Sequence, residues 1–248
     1  TEAPGWPLCS HHVGAEPRDS LMIVPMEPEP KREVESGRRD SIMSNVHDMI
    51  AKVCESVVAA ADLLNELDGV IGDGDCGNTF RRGFEKIAKD DAVKNAATLR
   101  EAMFAISDIA GEYMGGSSGA LLKIFFFSLA SSLPANAEPK IQDIASGVAM
   151  GVERMSFYGG AEKGDSTMLD ALIPLAQAFN EASQGGASAK DISAACVAAA
   201  REGRDSTRTL IAKAGRASYV PEECQAGVTD PGAEAVVVIM EAVDSTLC

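Results

Sequence analysis

Asp68, Asp73 and Asp75 stand close together in the segment Leu67-Asp68-Gly69-Val70-Ile71-Gly72-Asp73-Gly74-Asp75-Cys76-Gly77-Asn78-Thr79, with no histidine or paired-thiol pattern beside them. Three converging carboxylates make an all-oxygen site, which suits Mg2+ rather than Zn2+. Glycines at 69, 72, 74 and 77 let the backbone take positive φ and approach a ligand closely. Asp73 and Asp75, two apart in an extended turn, can point the same way. The amides of a helix starting near Gly77 are positioned to receive phosphate oxygens. The plainer readings are an ordinary Asp-Gly turn or a calcium loop. A twelve-residue EF-hand loop ends on an acidic residue, whereas the twelfth position from Asp73 is Phe84.

Three further segments have the composition of ligand-binding helix starts. Gly115-Gly116-Ser117-Ser118-Gly119 leads into Ala120-Leu121-Leu122, Gly164-Asp165-Ser166-Thr167-Met168 leads into Leu169-Asp170, and Gly215-Arg216-Ala217-Ser218-Tyr219 precedes Asp230-Pro231-Gly232. Small residues at a helix N-terminus leave amides and hydroxyls open to phosphate, and arginine can grip phosphate through two parallel bonds. Taken singly, each is matched by a simple reading: N-caps by serine or aspartate, a solvated Arg216, and a turn at Pro231-Gly232. Together they are expected to converge at one rim.

The elements that must position these residues are helical. Val46, Met49, Ile50, Val53, Val57, Ala61, Leu64 and Leu67 form one apolar stripe. The same spacing recurs in Phe80/Phe84/Ile87, Met103/Ile106/Ile109/Tyr113, Ile141/Ile144/Val148/Val152/Met155, Leu169/Leu172/Ile173/Ala176/Phe179, Ile192/Ala195/Cys196/Ala199 and Val236/Val237/Met240/Val243. No segment alternates with period two, and glycine pairs separate several of them. The expectation is an all-α bundle of about eight antiparallel helices with the site at one end.

The formal net charge of −15 over 248 residues disfavours nucleic acid and anionic membrane surfaces, so a polyanionic ligand needs cations beside it. The longest apolar run, 119–133, is broken by Lys123 and is shorter than the roughly 20 residues of a spanning helix. The six cysteines form no C-x-x-C pair and read as reduced thiols of a cytoplasmic protein. Composition shifts near residue 41. Prolines and charges crowd the preceding stretch, Leu21-Met22-Ile23-Val24 reads as a strand without partners, and residues 1–40 are expected to have little stable structure. The start at Thr1-Glu2-Ala3-Pro4 has no signal-peptide features and reads as a cut through a longer protein.

The ordered motifs L-D-x-x-x-G-D-G-D-C-G, G-G-S-S-G-A-L, G-D-x-T-M-L-D-A-L, G-R-A-S-Y and D-P-G-A are similar to the C-terminal L domain of dihydroxyacetone kinases over about residues 41–248. Residues 1–27 resemble the tail of the preceding K domain, with 28–40 as linker, in the manner of the single-chain triokinase/FMN cyclase type. The resemblance implies an eight-helix antiparallel barrel that binds ATP through two Mg2+ ions held by Asp68, Asp73 and Asp75. Cys76, Gly77, Asn78, Thr79, Ser117 and Ser118 would cradle phosphates, Gly159, Thr167 and Met168 would line the adenine side, and Arg216, Asp230, Pro231 and Gly232 would complete the pocket. It further implies phosphoryl transfer to dihydroxyacetone or glyceraldehyde held on the K domain, with a homodimeric full-length enzyme. Cleavage of FAD to cyclic FMN, with Mn2+ or Co2+ as alternative metals, is the other activity of such relatives.

Cys76 is similar to the ATP-using branch, whereas an ADP-holding bacterial phosphotransferase subunit usually has histidine there. Ser166 departs from the pattern, which often has arginine at this position. His11, His12 and His47 match no substrate-holding motif, so the chain is expected to lack catalytic residues beyond the aspartates. The alternatives are a non-catalytic ADP-holding subunit and a purely structural helical domain.

Overall fold

The computed structural model describes residues 36–135 and 137–247, with side chains from residue 42 onward. The expected strand Leu21–Val24, the 1–27 remnant, His11, His12, Cys9 and Cys248 lie outside the described residues. Residues 37–248 form one compact unit, and its regular structure among the described residues is entirely helical.

The long apolar stripe forms α1 (Ser36–Ala59) and α2 (Ala61–Ile71). They make one rod with a slight break at Ala60, across which the Ala60 N–H to Ser56 C=O and Leu64 N–H to Ala60 C=O bonds continue at 3.0 Å each. α1 begins inside the segment expected as a linker. α2 also runs further than the stripe suggests, ending on the buried Ile71, so the loop is only 72–75. The chain continues through α3 (Cys76–Lys89), a short α4 (Asp91–Lys94) and α5 (Leu99–Ile109), which is extended by a π-helical turn, Ala110–Met114. Then come α6 (Gly116–Ser132), α7 (Ile141–Gly159), α8 (Leu169–Gln184) and α9 (Ala189–Ser206). Two 3-10 turns, Thr207–Thr209 and Arg216–Tyr219, and a short α10 (Glu222–Gln225) precede α11 (Pro231–Thr246).

With α1 and α2 taken as one rod, eight long helices close a ring. α2 packs on α3, α3 on α5 and its π turn, and α5 on α6; α6 to α9 then pack in series, α9 meets α11, and α11 returns to α2. Because direction reverses at each step, every second connection lies at the same end. Those connections are 72–75, Gly115, 160–168 and 207–230, the segments marked in the sequence by glycine and aspartate. The Gly185-Gly186 turn between α8 and α9 falls at the other end.

The inner faces meet in one apolar core, in which Val57, Leu64, Phe80, Met114, Met155 and Val237 are fully buried. Phe80 and Phe84 lie one helical turn apart with near-parallel rings, centroids 6.1 Å apart. Cys54 and Cys196 belong to this core, and burial pushes their thiols up to about 12 and about 11. No helix of the described residues is long and apolar enough to cross a membrane.

Close approach of helices fixes where the site loops begin. A Cβ at Gly77 would collide with the Ala61 carbonyl, so α3 lies against α2 only because residue 77 has no side chain. Gly77→Ala is therefore expected to lower stability by about 1–3 kcal/mol, read as a fall in the thermal midpoint; an unchanged midpoint would show that α2 and α3 separate freely.

Candidate metal and phosphate site

Asp68 sits on the last turn of α2, and its Oδ2 accepts the Asp75 amide at 2.8 Å and the Cys76 amide at 3.0 Å. One carboxylate thus ends the 72–75 loop and caps α3. A Cβ on Gly72 would collide with Asp68 Oδ1, which explains the glycine there. Gly74, at φ +76, makes the left-handed step that carries Asp73 and Asp75 round. The result is three carboxylates with one oxygen each within 4.8 Å of the others. An octahedral Mg2+ with bonds near 2.1 Å spans about 4.2 Å between opposite ligands. The set therefore fits a hard divalent cation after a small closure.

These carboxylates open into a cavity of about 340 Å³ lined from all four connections. Of the residues expected at the site, Asp68, Asp73, Asp75, Cys76, Thr79, Ser117, Ser118, Gly159, Thr167, Met168, Arg216, Asp230, Pro231 and Gly232 line it. Gly77 and Asn78 do not. Gly77 is spent on the contact with α2, and the Asn78 side chain turns to Asn65, whose Nδ2 donates to Asn78 Oδ1 at 3.2 Å. The expected row of open amides at the start of α3 also needs correction. The Asp75 and Cys76 amides donate to Asp68, the Asn78 amide to Asn65 Oδ1 and the Thr79 amide to the Asp75 carbonyl.

The π turn ends at Met114, and Gly115 and Gly116 then take left-handed backbone, at φ +68 and +58, to start α6. Ser117 and Ser118 make no side-chain cap there, which leaves the N-terminus of α6 uncapped beside the cavity. On the next connection neither Asp165 nor Ser166 caps α8, contrary to the simpler reading of that segment. The buried Asp170 instead reaches back, accepting the Gly164 amide at 2.6 Å and the Thr167 amide at 2.9 Å. Ser166 is buried in left-handed backbone at φ 56, with its hydroxyl 3.4 Å from the Thr207 carbonyl.

Arg216 is exposed, and its guanidinium pairs with the Asp73 carboxylate. The segment bearing it is held from behind by the buried Gln225, which accepts the Ala212 amide at 2.8 Å and donates to the Ala217 and Val220 carbonyls at 3.0 and 2.6 Å. Asp230 caps α11 by accepting the Ala233 amide at 2.7 Å. Sequence reasoning missed Asp170 and Gln225, whose partners are turned towards them only by folding. It also missed Arg82, a cavity-lining residue whose local signal is merely an Arg-Arg pair one turn after Thr79. His47 is half-buried on α1 and does not line the cavity.

Burial, then the charges of Asp68, Asp230 and Asp75, pushes the Cys76 thiol up to about 12, so at neutral pH it is a neutral thiol and not a nucleophilic thiolate. Burial likewise raises the Asp230 carboxyl to about 7; the Asp170 and Asp68 charges add to the rise, and the Ala233 and Gly232 amides oppose it.

The architecture is thus an all-helical barrel that gathers hard-oxygen ligands and four helix N-termini at one end. The DAK2 domain pattern matches residues 70–245, and the chain belongs to that family. It is 36% identical over 247 residues to a putative 3,4-dihydroxy-2-butanone kinase of Solanum lycopersicum, covering 95% of this chain and 40% of that protein. It is 33% identical to the triokinase/FMN cyclase of Mus musculus, covering 98% of this chain and 41% of that one. Dihydroxyacetone kinase 1 of Saccharomyces cerevisiae is also 33% identical, with 100% of this chain and 41% of that protein covered. The chain therefore spans about two fifths of the length of these relatives. Among solved structures it is similar to the dihydroxyacetone kinase of C. freundii in its native form, with TM-score 0.64, 27% identity, and 92% of this chain and 38% of that chain covered. The same enzyme in complex with AMP-PNP and Mg2+ matches with TM-score 0.61.

The Asp230 shift has a definite sign. Its carboxyl keeps a proton in the folded state up to about pH 7, whereas the unfolded chain loses it near 3.8. Its contribution to stability therefore declines as pH rises between these values and is level above them. Asp230→Asn keeps an acceptor for the Ala233 amide and removes the titration. In cation-free buffer the variant should gain in thermal midpoint over wild type from pH 5 to pH 8; a constant difference would show that Asp230 ionises normally.

Proposed function

We propose that this chain is the ATP- and magnesium-binding part of a kinase that phosphorylates dihydroxyacetone or glyceraldehyde, the triose being held by a K domain outside these residues. The observation that carries the reading is the opening of the Asp68, Asp73 and Asp75 cluster into the cavity lined by Ser117-Ser118 and Thr167-Met168. The relatives' names as kinases and the AMP-PNP and Mg2+ complex of a similar structure support it.

In this reading Asp68, Asp73 and Asp75 hold Mg2+, two ions in the fuller form. When bound, the metal neutralises phosphate charge and helps align in-line transfer. Asp68 keeps the carboxylates in register through the Asp75 and Cys76 amides. Ser117, Ser118 and Thr79 offer hydroxyls to phosphate oxygens, with Cys76 packed beside them, while Gly77 and Asn78 act from behind by fixing α3 against α2. Gly159, Thr167 and Met168 form the wall for the base. Asp230, Pro231 and Gly232 close the pocket at the start of α11. Arg216, which pairs with Asp73 and lines the cavity, would also offer its guanidinium to phosphate. The helix N-termini of α3, α6, α8 and α11 point at the polyanion, each worth a fraction of a positive charge.

The similarity to mammalian triokinase/FMN cyclases extends the proposal to FAD, whose diphosphate has the same chemistry as the nucleotide arm; Mn2+ or Co2+ would serve that activity. A homodimer of the full-length enzyme, in the cytoplasm, completes the proposal.

Isothermal titration of the chain with ATP tests the reading. Binding is expected with Mg2+ and not in EDTA, and Asp73→Ala and Asp75→Ala should each weaken it at least about 10-fold. Unchanged heats in both variants would leave a structural domain whose glycine-rich loops are turns. ADP that survives desalting would favour the ADP-holding subunit instead.

A further inference from the structure

Arg82 stands on α3 one turn beyond Thr79 and lines the cavity. Its Nη2 donates to Thr79 Oγ1 at 3.0 Å and to the Met114 carbonyl at 3.4 Å. Both acceptors are neutral, and among the described residues no carboxylate oxygen lies within 4 Å of its guanidinium nitrogens. Arg100 and Arg208 likewise donate only to neutral acceptors, but neither lines the cavity. Arg81, the neighbour of Arg82, pairs with Asp62, Arg201 with Glu241, Arg204 with Glu234, and Arg216 with Asp73. Both contacts of Arg82 run through Nη2, which leaves Nε and Nη1, with three of the five guanidinium N–H donors, free of protein partners among the described residues.

The two contacts also place it. Thr79 follows the carboxylate loop on α3, and Met114 is the last residue before the left-handed Gly115-Gly116 step that leads to Ser117 and Ser118. Arg82 therefore bridges the two connections assigned to the phosphates, whereas the proposed base-side residues Gly159, Thr167 and Met168 belong to the α7–α8 connection.

We infer that Arg82 is a further phosphate-binding residue, its guanidinium pre-set by Thr79 and Met114 to take non-bridging oxygens of the nucleotide's polyphosphate arm. The inference rests on the nucleotide reading of the cavity and adds to it a cation that the metal-ligand motif does not contain. With Nη2 held by the protein, the Nε and Nη1 donors remain to meet single phosphate oxygens, and the positive charge acts on the arm as a whole.

The test is a set of titrations on the whole chain and its Arg82→Gln and Arg82→Lys variants, with thermal midpoints measured in parallel. Glutamine keeps an N–H donor for the Met114 carbonyl and loses the charge, which separates phosphate binding from simple bracing of the turn. Arg82→Gln is expected to weaken Mg-ATP about 10- to 100-fold, Arg82→Lys to retain part of the affinity, and both to keep the wild-type midpoint. Mn2+ titrated alone should bind Arg82→Gln as tightly as wild type or more tightly, because a nearby positive charge has gone. Wild-type Mg-ATP affinity in Arg82→Gln would overturn the inference. So would parallel losses of midpoint, Mn2+ affinity and Mg-ATP affinity, which would make Arg82 a brace. A wild-type chain that binds no Mg-ATP would remove the nucleotide reading and this inference together; wild-type binding with an indifferent Arg82→Gln removes this inference alone.

Discussion

Like charges held close together need compensation, and in this fold the compensation begins with Asp68. Its carboxylate oxygen, gripped by the Asp75 and Cys76 amides, joins the end of α2 to the start of α3. That junction settles the path of the 72–75 loop and therefore the positions of Asp73 and Asp75. Arg216 supplies the second offset by pairing with Asp73 from a segment far along the chain. The carboxylate cluster is thus assembled from local backbone geometry plus one long-range ion pair.

The ring of helices extends the same logic outward. An even number of reversing helices puts four of the connections at one end, and each delivers a helix N-terminus to the cavity rim. Helix dipoles favour anions at that end, and Arg82 and Arg216 reinforce them against a net charge of −15. The opposing carboxylates make the balance conditional in the proposed function, where a divalent cation offsets their charge before a polyphosphate approaches.

Much of this was legible because the informative chemistry is local in sequence. Asp68, Asp73 and Asp75 stand within one loop and its flanks, and glycines mark the positions where backbone must turn or helices must touch. The apolar stripes likewise reveal helices, since burial on one face leaves a period that survives in a single sequence. The unread parts are those that only packing decides. Nothing local distinguishes Arg82 from Arg81, yet one faces the cavity and the other pairs with Asp62. Asp170 looks like any acid in a first helical turn, and Gln225 like any polar residue near a short helix, but each braces a loop carrying proposed ligand contacts. The amides at the start of α3 were expected to be open, but Asp68 claims that of Cys76 and the Asn65 side chain that of Asn78.

The return of α11 onto α2 gives the domain a wiring that is circular in space although linear in sequence. The outer ends of α1 and α11 both point away from the cavity, because their other ends feed it. Opening the chain at Gly185-Gly186, at the other end, would leave every cavity-lining connection uncut. The turns of the far end are accordingly separate in space from the cavity, although they alternate with its connections along the chain.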